Sequence, residues 1–330
     1  MADLAASTQG TALLAKVDKR AQGPQHVLSM ADLSGHLGAL ISQALTMKQA
    51  SVKGKLQPLL AGKAVLSLYE RNSTRTRVSF DVGVQRLGGI STVLDKTSSQ
   101  LARGETLGDT AAVLSRYADA IVYRATSHGH ATELARHATV PVVNALTDRE
   151  HPCQVLADLT TLAEHKGTGL EGLQGDTLAY VGDGNNMCHS YLLGAALAGM
   201  HVHVAAPLGY QPDPAIVQQA RDMASAYGTE VQVTEDPARA VDGAHAVATD
   251  TWTSMGDEAE ADKREAAFQG YTVDHALMQQ AHPEAVFLHC LPGHWGHEAS
   301  YEVAHGPQSL IRDQAENRMW SQMALLAHLL

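Results

Sequence analysis

Cysteine is scarce: Cys153, Cys188 and Cys290 are the only three in 330 residues. They are too few and too scattered for a disulfide framework, which points to a reducing compartment. Basic residues are outnumbered, with 24 Lys and Arg against 35 Asp and Glu for a net charge of −11. That balance argues against nucleic acid or an anionic membrane as a partner. No apolar run approaches the length that spans a bilayer. The N-terminal stretch lacks the apolar core of a secretory signal. It also mixes Asp3 and Asp18 with Lys16, Lys19 and Arg20, so it does not read as a clear organelle transit peptide. No short-period repeat or low-complexity tract is present.

What remains is a chain with 45% hydrophobic and 18% charged residues, ordinary for a globular enzyme and long enough for two domains. Short β-rich runs alternate with helical patterns, the signature of parallel α/β sheets. Strands are expected at Val65–Tyr69, Ile90–Leu94, Ala120–Tyr123, Pro141–Asn144, Thr177–Val181, His201–Ala205, Val231–Thr234, Ala244–Thr249 and Val286–His289. Helices are expected at Ala31–Met47, Thr74–Leu87, Thr106–Tyr117, Thr132–His137, Gln154–His165, Asn186–Ala198, Pro214–Tyr227, Ala259–Phe268 and Asp313–Leu330. The last carries an apolar stripe at Trp320, Met323, Ala324 and Leu326. The expected fold is α/β, with two lobes, each a mostly parallel sheet flanked by helices. The lobes cover 1–150 and 151–312, joined by the helix that begins near His151. Ligands in such lobes bind beyond the carboxyl ends of the strands, and the polar motifs sit there.

The strongest motif is Asn72-Ser73-Thr74-Arg75-Thr76-Arg77, between a buried strand and a helix. Helix N-termini favour negative charge, yet Arg71, Arg75 and Arg77 gather at this one. That crowding is unfavourable unless an anion sits there. With Ser73, Thr74 and Thr76 adding hydroxyls, a phosphate is the natural guest; Ser73 alone would also serve as an ordinary N-cap. Arg124 ends a strand and, by itself, reads as a surface arginine. His151-Pro152-Cys153-Gln154 opens a helix with Pro152 at its first position. His151 and Gln154 suit a carbonyl and an amino group, although an isolated His-Pro pair reads first as a structural histidine.

Gly182-Asp183-Gly184-Asn185-Asn186-Met187 imitates a dinucleotide fingerprint. Met187 replaces its third glycine and no acid ends the next strand, so a nicotinamide cofactor is not expected. Asn185 and Asn186 instead offer amides to a small polar ligand. Asp250 leaves a strand for a glycine-hinged loop. That suits a cationic amine, and equally suits an ordinary connection capped by an aspartate. Cys290 ends the last strong strand and is either buried and inert or catalytic. Its spacing to His294 and His297 suggests a metal, but 18 histidines make chance clustering the better account, and no zinc site is expected.

Taken together, the Ser73–Arg77 run, Gln100…Arg103-Gly104-Glu105, His151–Gln154, Gly182–Asn186, Asp250…Ser254-Met255-Gly256, His289-Cys290-Leu291-Pro292 and Ala315-Glu316-Asn317-Arg318 resemble the carbamoyltransferase family, most closely its ornithine-specific branch. The resemblance spans residues 65 to 320. It implies transfer of the carbamoyl group of carbamoyl phosphate to the δ-amine of ornithine, with no cofactor and no metal. It implies a carbamoyl-phosphate-binding first domain, an ornithine-binding second domain and a C-terminal helix, 313–330, that returns to the first.

By the same resemblance Ser73, Thr74, Arg75 and Thr76 hold the phosphate, and Arg124 and His151 polarise the carbonyl. Gln154 and the backbone carbonyls of Cys290 and Leu291 fix the carbamoyl amine, and Arg318 reaches the same ligand. Asn186, Asp250, Ser254 and Met255 bind ornithine. Arg124, His151, Cys290 and Arg318 form the implied catalytic set. A homotrimer in the mitochondrial matrix or cytoplasm is implied as well. The chain departs from the family pattern at Tyr69-Glu70-Arg71, where Phe-Glu-Lys is common, at Ala102, and in the loop Gly293-His294-Trp295-Gly296-His297.

Overall fold

In the computed structural model, which describes residues 25–253 and 260–330, the strands form two parallel sheets. The first contains β1 (Ala64–Tyr69), β2 (Ile90–Asp95), β3 (Ala120–Arg124) and β4 (Val142–Leu146), in the order β2-β1-β3-β4. The second contains β5 (Thr177–Val181), β6 (His201–Ala205), β7 (Val231–Thr234), β8 (Ala246–Thr249) and β9 (Val286–His289), in the order β7-β6-β5-β8-β9. Strands such as β3 and β8 are buried at every residue. Covered by helices on both faces, they read as continuous apolar runs rather than alternating ones. In each sheet the strand order reverses beside the first strand: between β1 and β3, and between β5 and β8. Crevices open at such points beyond the carboxyl ends.

Around the first sheet lie α1 (Leu37–Val52), α2 (Thr74–Arg86), α3 (Leu107–Leu114) and α4 (His128–His137); α5 (Pro152–Lys166) leads away from β4. Around the second lie α6 (Asn186–Leu197), α7 (Pro214–Ser225), α8 (Pro237–Val241), α9 (Ala261–Ala267), α10 (His275–Met278) and α11 (Tyr301–His305), before the long α12 (Ile311–Leu329). The first helix starts later than expected. A 3-10 turn, Met30–Leu33, capped by Ser29, comes first, and Gly35 at φ 76° breaks the path into α1. Conversely, α4 begins four residues early, because the Ser127 hydroxyl accepts from the Gly129 N–H at 3.2 Å and caps it.

The C-terminal helix lies against α5, α1 and α2. Trp320, Met323, Ala324 and Leu326 are all buried in the larger core. The approach to α2 needs a glycine: a Cβ on Gly83 would come within 2.9 Å of Met323 Cγ. Residues Pro152 to Ala163 of α5 are buried all round, as expected of a helix enclosed on every side. Residues of α12 are thereby carried back to the rim of the first sheet.

Candidate active site

One cavity of about 690 Å³ opens at the carboxyl ends of the strands and is lined from both sheets. On the first sheet, β1 runs into α2. Ser73 is the N-cap, its hydroxyl accepting from the Thr76 N–H at 3.3 Å. No acidic residue occupies the first turn of α2, so its positive end is uncompensated. Ser73, Thr74, Arg75 and Thr76 line the cavity together with Arg71. Arg77 does not: its guanidinium turns aside to Asp95 at 3.5 Å, and this member of the expected cluster belongs to a surface pair.

Arg124 is not a surface arginine. It is 6% exposed, and its Nη1 donates to the Thr76 hydroxyl at 3.3 Å. Arg318, brought by α12, donates from Nη2 to the same hydroxyl at 2.7 Å. Burial, with Arg318 adding to it, pulls Arg124 down to about 10, still fully charged near neutral pH. Burial also lowers Arg318. Among the described residues neither guanidinium is ion-paired to a carboxylate. Two buried positive charges thus share one neutral oxygen, a costly arrangement without an anion.

His151 caps α5 without a side-chain hydrogen bond, and its backbone N–H is held by the Ser190 hydroxyl at 2.8 Å. Its ring is buried, and burial together with Arg318 and Arg124 drives its pKa far down. The imidazole is therefore neutral. Gln154 Nε2 donates to Asp158 Oδ1 at 2.8 Å, while its Oε1 is buried with no partner. That leaves an acceptor for an N–H donor.

On the second sheet Asp250 follows β8, buried and lining the cavity. The Cys290 thiol donates to its Oδ1 at 3.1 Å, and Asn185 Nδ2 donates to its Oδ2 at 3.0 Å. Burial, then the adjacent Asp250 carboxylate, push the Cys290 thiol well above its usual range, so it is a donor and not a thiolate nucleophile. Asn185 is not available to a ligand: its Oδ1 caps α6 by accepting from Met187 and Cys188 N–H. Asn186, Leu291 and Pro292 line the cavity, with Asn186 Nδ2 on the Thr147 carbonyl at 2.7 Å. Ser254 and Met255 lie outside the described residues.

Asp183, Thr147, His294 and Arg264 also line the cavity. The sequence shows Asp183 only as part of the glycine-rich motif and His294 only as a neighbour of Cys290 and His297; Arg264 carries no signal, because a lone arginine on a helix looks solvated. The cavity is strongly cationic where the first sheet meets α12, and carries an oriented carboxylate at the second sheet.

Two family models match the chain. "Aspartate/ornithine carbamoyltransferase, carbamoyl-P binding domain" matches residues 25–164, and the "Asp/Orn binding domain" of the same family matches 174–329. The ornithine carbamoyltransferase of Carboxydothermus hydrogenoformans is 48% identical, over 92% of this chain and 96% of the relative. That of Acidothermus cellulolyticus is 50% identical, over 93% and 96%. Among solved structures, the ornithine carbamoyltransferase from Pyrococcus furiosus superposes with a TM-score of 0.88 at 42% identity, covering 92% of this chain and 96% of that one.

Proposed function

The chain belongs to the aspartate/ornithine carbamoyltransferase family, and from that premise we infer that it transfers the carbamoyl group of carbamoyl phosphate to the δ-amine of L-ornithine, giving L-citrulline and phosphate. The observation that carries this reading is the pair Arg124 and Arg318, buried on Thr76 without a carboxylate. A dianionic acyl phosphate, with its carbonyl beside the phosphoryl group, is the ligand that such a site suits.

In this reading Ser73, Thr74, Arg75 and Thr76 receive the phosphate through hydroxyls, guanidinium and the open N–H groups of α2. Arg124 and His151 face the carbonyl oxygen; Gln154 Oε1 and the carbonyls of Cys290 and Leu291 accept from the carbamoyl NH2; Arg318 bridges the two ends. Asp250, with Asn186, Ser254 and Met255, holds ornithine. The δ-amine reacts in its neutral form: its nitrogen lone pair attacks the carbamoyl carbon and negative charge builds on the carbonyl oxygen. Fixed cationic donors stabilise that charge without reorganising. The carbon–oxygen bond to phosphate then breaks, the electron pair leaves with phosphate, and the proton lost by nitrogen goes to the departing phosphate. No covalent enzyme intermediate is needed, consistent with a protonated Cys290 that orients Asp250. Positioning two substrates between the sheets supplies much of the acceleration.

A homotrimer is part of the same reading. Support comes from Val78 and Val82 on α2 and Ile90 at the start of β2, which expose large apolar side chains where a neighbouring subunit would cover them. Solution scattering should return about three times 35.1 kDa. The bacterial and archaeal relatives favour cytoplasm over the mitochondrial matrix. The deciding assay supplies carbamoyl phosphate with ornithine, acetylornithine, putrescine or aspartate and measures product. Citrulline from ornithine at the highest kcat/KM is expected; preference for another amine would overturn the substrate assignment.

A further inference from the structure

Leu291 stands at φ 60°, the only non-glycine residue at positive φ among the described residues. A side chain with a Cβ avoids that region unless its surroundings hold it there. Leu291 lies between Cys290 and Pro292 on the wall of the main cavity. Its carbonyl and that of Cys290 are the groups given above to the carbamoyl NH2.

A histidine supplies the hold. The Leu291 N–H donates to His289 Nδ1 at 2.9 Å. Nδ1 therefore carries a lone pair, and the ring proton sits on Nε2. Glu298 Oε1 stands 3.3 Å from Nε2, with the two side chains only 0% and 1% exposed. Nε2 has no better-aligned acceptor among the described residues, so this carboxylate decides which ring nitrogen is protonated.

The same Oε1 accepts from the His294 N–H at 2.6 Å, so one oxygen governs both sides of the turn that follows β9. Burial pushes the Glu298 carboxyl up, but His289 and the His294 N–H outweigh it and hold it below its usual range. It is an acceptor only near neutral pH. The Trp295 ring covers the turn. It meets the His289 ring edge-on at 5.3 Å and lies so close over Gly293 that any Cβ there would collide with it. A buried carboxylate of this kind contributes little stability compared with apolar packing of the same volume, whereas an acceptor-only group beside one imidazole specifies its tautomer.

We propose that Glu298 is a positioning residue for the carbamoyl end of carbamoyl phosphate: by fixing the His289 tautomer it pins Leu291 in its left-handed conformation and so presents the backbone carbonyls of Cys290 and Leu291 to the carbamoyl NH2. This role rests on the carbamoyl phosphate reading above. It concerns the amide end alone. Acetyl phosphate and inorganic phosphate share the phosphoryl group but lack the NH2, and should be indifferent to it.

The test compares the full-length protein with Glu298→Gln, His289→Asn and His289→Leu. Dissociation constants of carbamoyl phosphate, acetyl phosphate and inorganic phosphate are measured by calorimetry, and melting is followed. Glutamine keeps the shape of Glu298, but its NH2 can donate to Nε2 and drive the ring proton to Nδ1, where it meets the Leu291 N–H donor to donor. Glu298→Gln should weaken carbamoyl phosphate about tenfold or more and leave the other two ligands within about twofold. Asparagine offers Oδ1 near the place of Nδ1 and needs no carboxylate to set its tautomer. His289→Asn should therefore keep the preference for carbamoyl over acetyl phosphate within about threefold of wild type, and His289→Leu, with no acceptor, should lose about tenfold or more of it. A carbamoyl phosphate Kd within about twofold of wild type in folded Glu298→Gln overturns the role, as does equal weakening of all three ligands. Should Glu298→Gln not fold, the histidine pair decides: equal preferences in His289→Asn and His289→Leu overturn the role. Failure of the wild type itself to prefer carbamoyl over acetyl phosphate would instead overturn the carbamoyl phosphate reading.

Discussion

Gln154 on α5 and Gln314 on α12 donate to the same carboxylate oxygen, Asp158 Oδ1, each at 2.8 Å. The shared acceptor fixes the amide of Gln154, so that Nε2 is engaged and Oε1 is left without a partner in a residue that lines the cavity. It also stitches the C-terminal helix to the helix that opens at His151. Gln314 extends the chain of contacts by accepting from the His289 N–H at 2.9 Å, next to Cys290.

This buried carboxyl predicts a pH dependence of stability. Burial raises Asp158 from 3.8 to about 6, and the nearby Tyr191 hydroxyl, the two amide donors and the Arg318 charge offset it only in part. The folded protein then holds the proton more tightly than the unfolded chain, so stability falls as pH rises through that interval. The penalty is absent below the unfolded value, complete above about 6, and worth about 3 kcal/mol. Asp158→Asn should lack it. Urea unfolding at pH 4, 5, 6 and 7 should show wild type losing ground against the variant up to pH 6 and none beyond; parallel curves would refute the assignment.

Arg318→Met should separate function from stability. Removing one of two buried, like-charged guanidiniums relieves their repulsion while the methionine keeps most of the packed stem. The melting temperature should stay level or rise. Turnover should drop by about 10²–10³ in kcat/KM, the usual loss for a donor to developing negative charge. Unchanged kinetics would remove Arg318 from the carbamoyl phosphate site.

Arg75 is exposed, so Arg75→Ala should leave circular dichroism and melting unaltered. Turnover should nonetheless fall by at least about 10²-fold, because the leaving phosphate loses a cationic donor. Near-normal citrulline formation would falsify the phosphate assignment of this loop.

Cys290 is predicted to act as a donor to Asp250. Cys290→Ser keeps that donor and should hold the ornithine KM within about twofold of wild type. Cys290→Ala leaves one carboxylate oxygen short of a partner and should cost more, on the order of 1–3 kcal/mol in ornithine binding. Equal KM values for the two variants would show that the thiol's hydrogen bond is not what matters.

Several elements are legible without coordinates for a definite reason. Thr177–Val181 and Val286–His289 appear with the expected ends because buried parallel strands are short apolar runs between turn residues, and His201–Ala205 and Val231–Thr234 because valines alternate with polar residues in a half-buried strand. The starts of α2, α6 and α7 are written in Ser73, Asn185 and the Asp213-Pro214 pair, which are local signals. The helices Pro237–Val241, His275–Met278 and Tyr301–His305 have no counterpart among the elements expected from sequence. At one turn or little more they show no periodicity, and only packing holds them.

The amino-acid order by itself determined the α/β alternation, the anion-seeking character of the Ser73–Arg77 loop and, through motifs in a fixed order, the family. These depend on neighbours in the chain, on caps, apolar runs and clustered charge, which sequence displays directly. The tertiary structure decided what each polar group does. It buried Arg124, sent Arg77 to Asp95, spent Asn185 on a cap and on Asp250, and drew Arg264 between Asp183 and Trp252. Charge burial and hydrogen-bond partnership are set by which distant segments the sheets and α12 bring together, and spacing along the chain carries no measure of that.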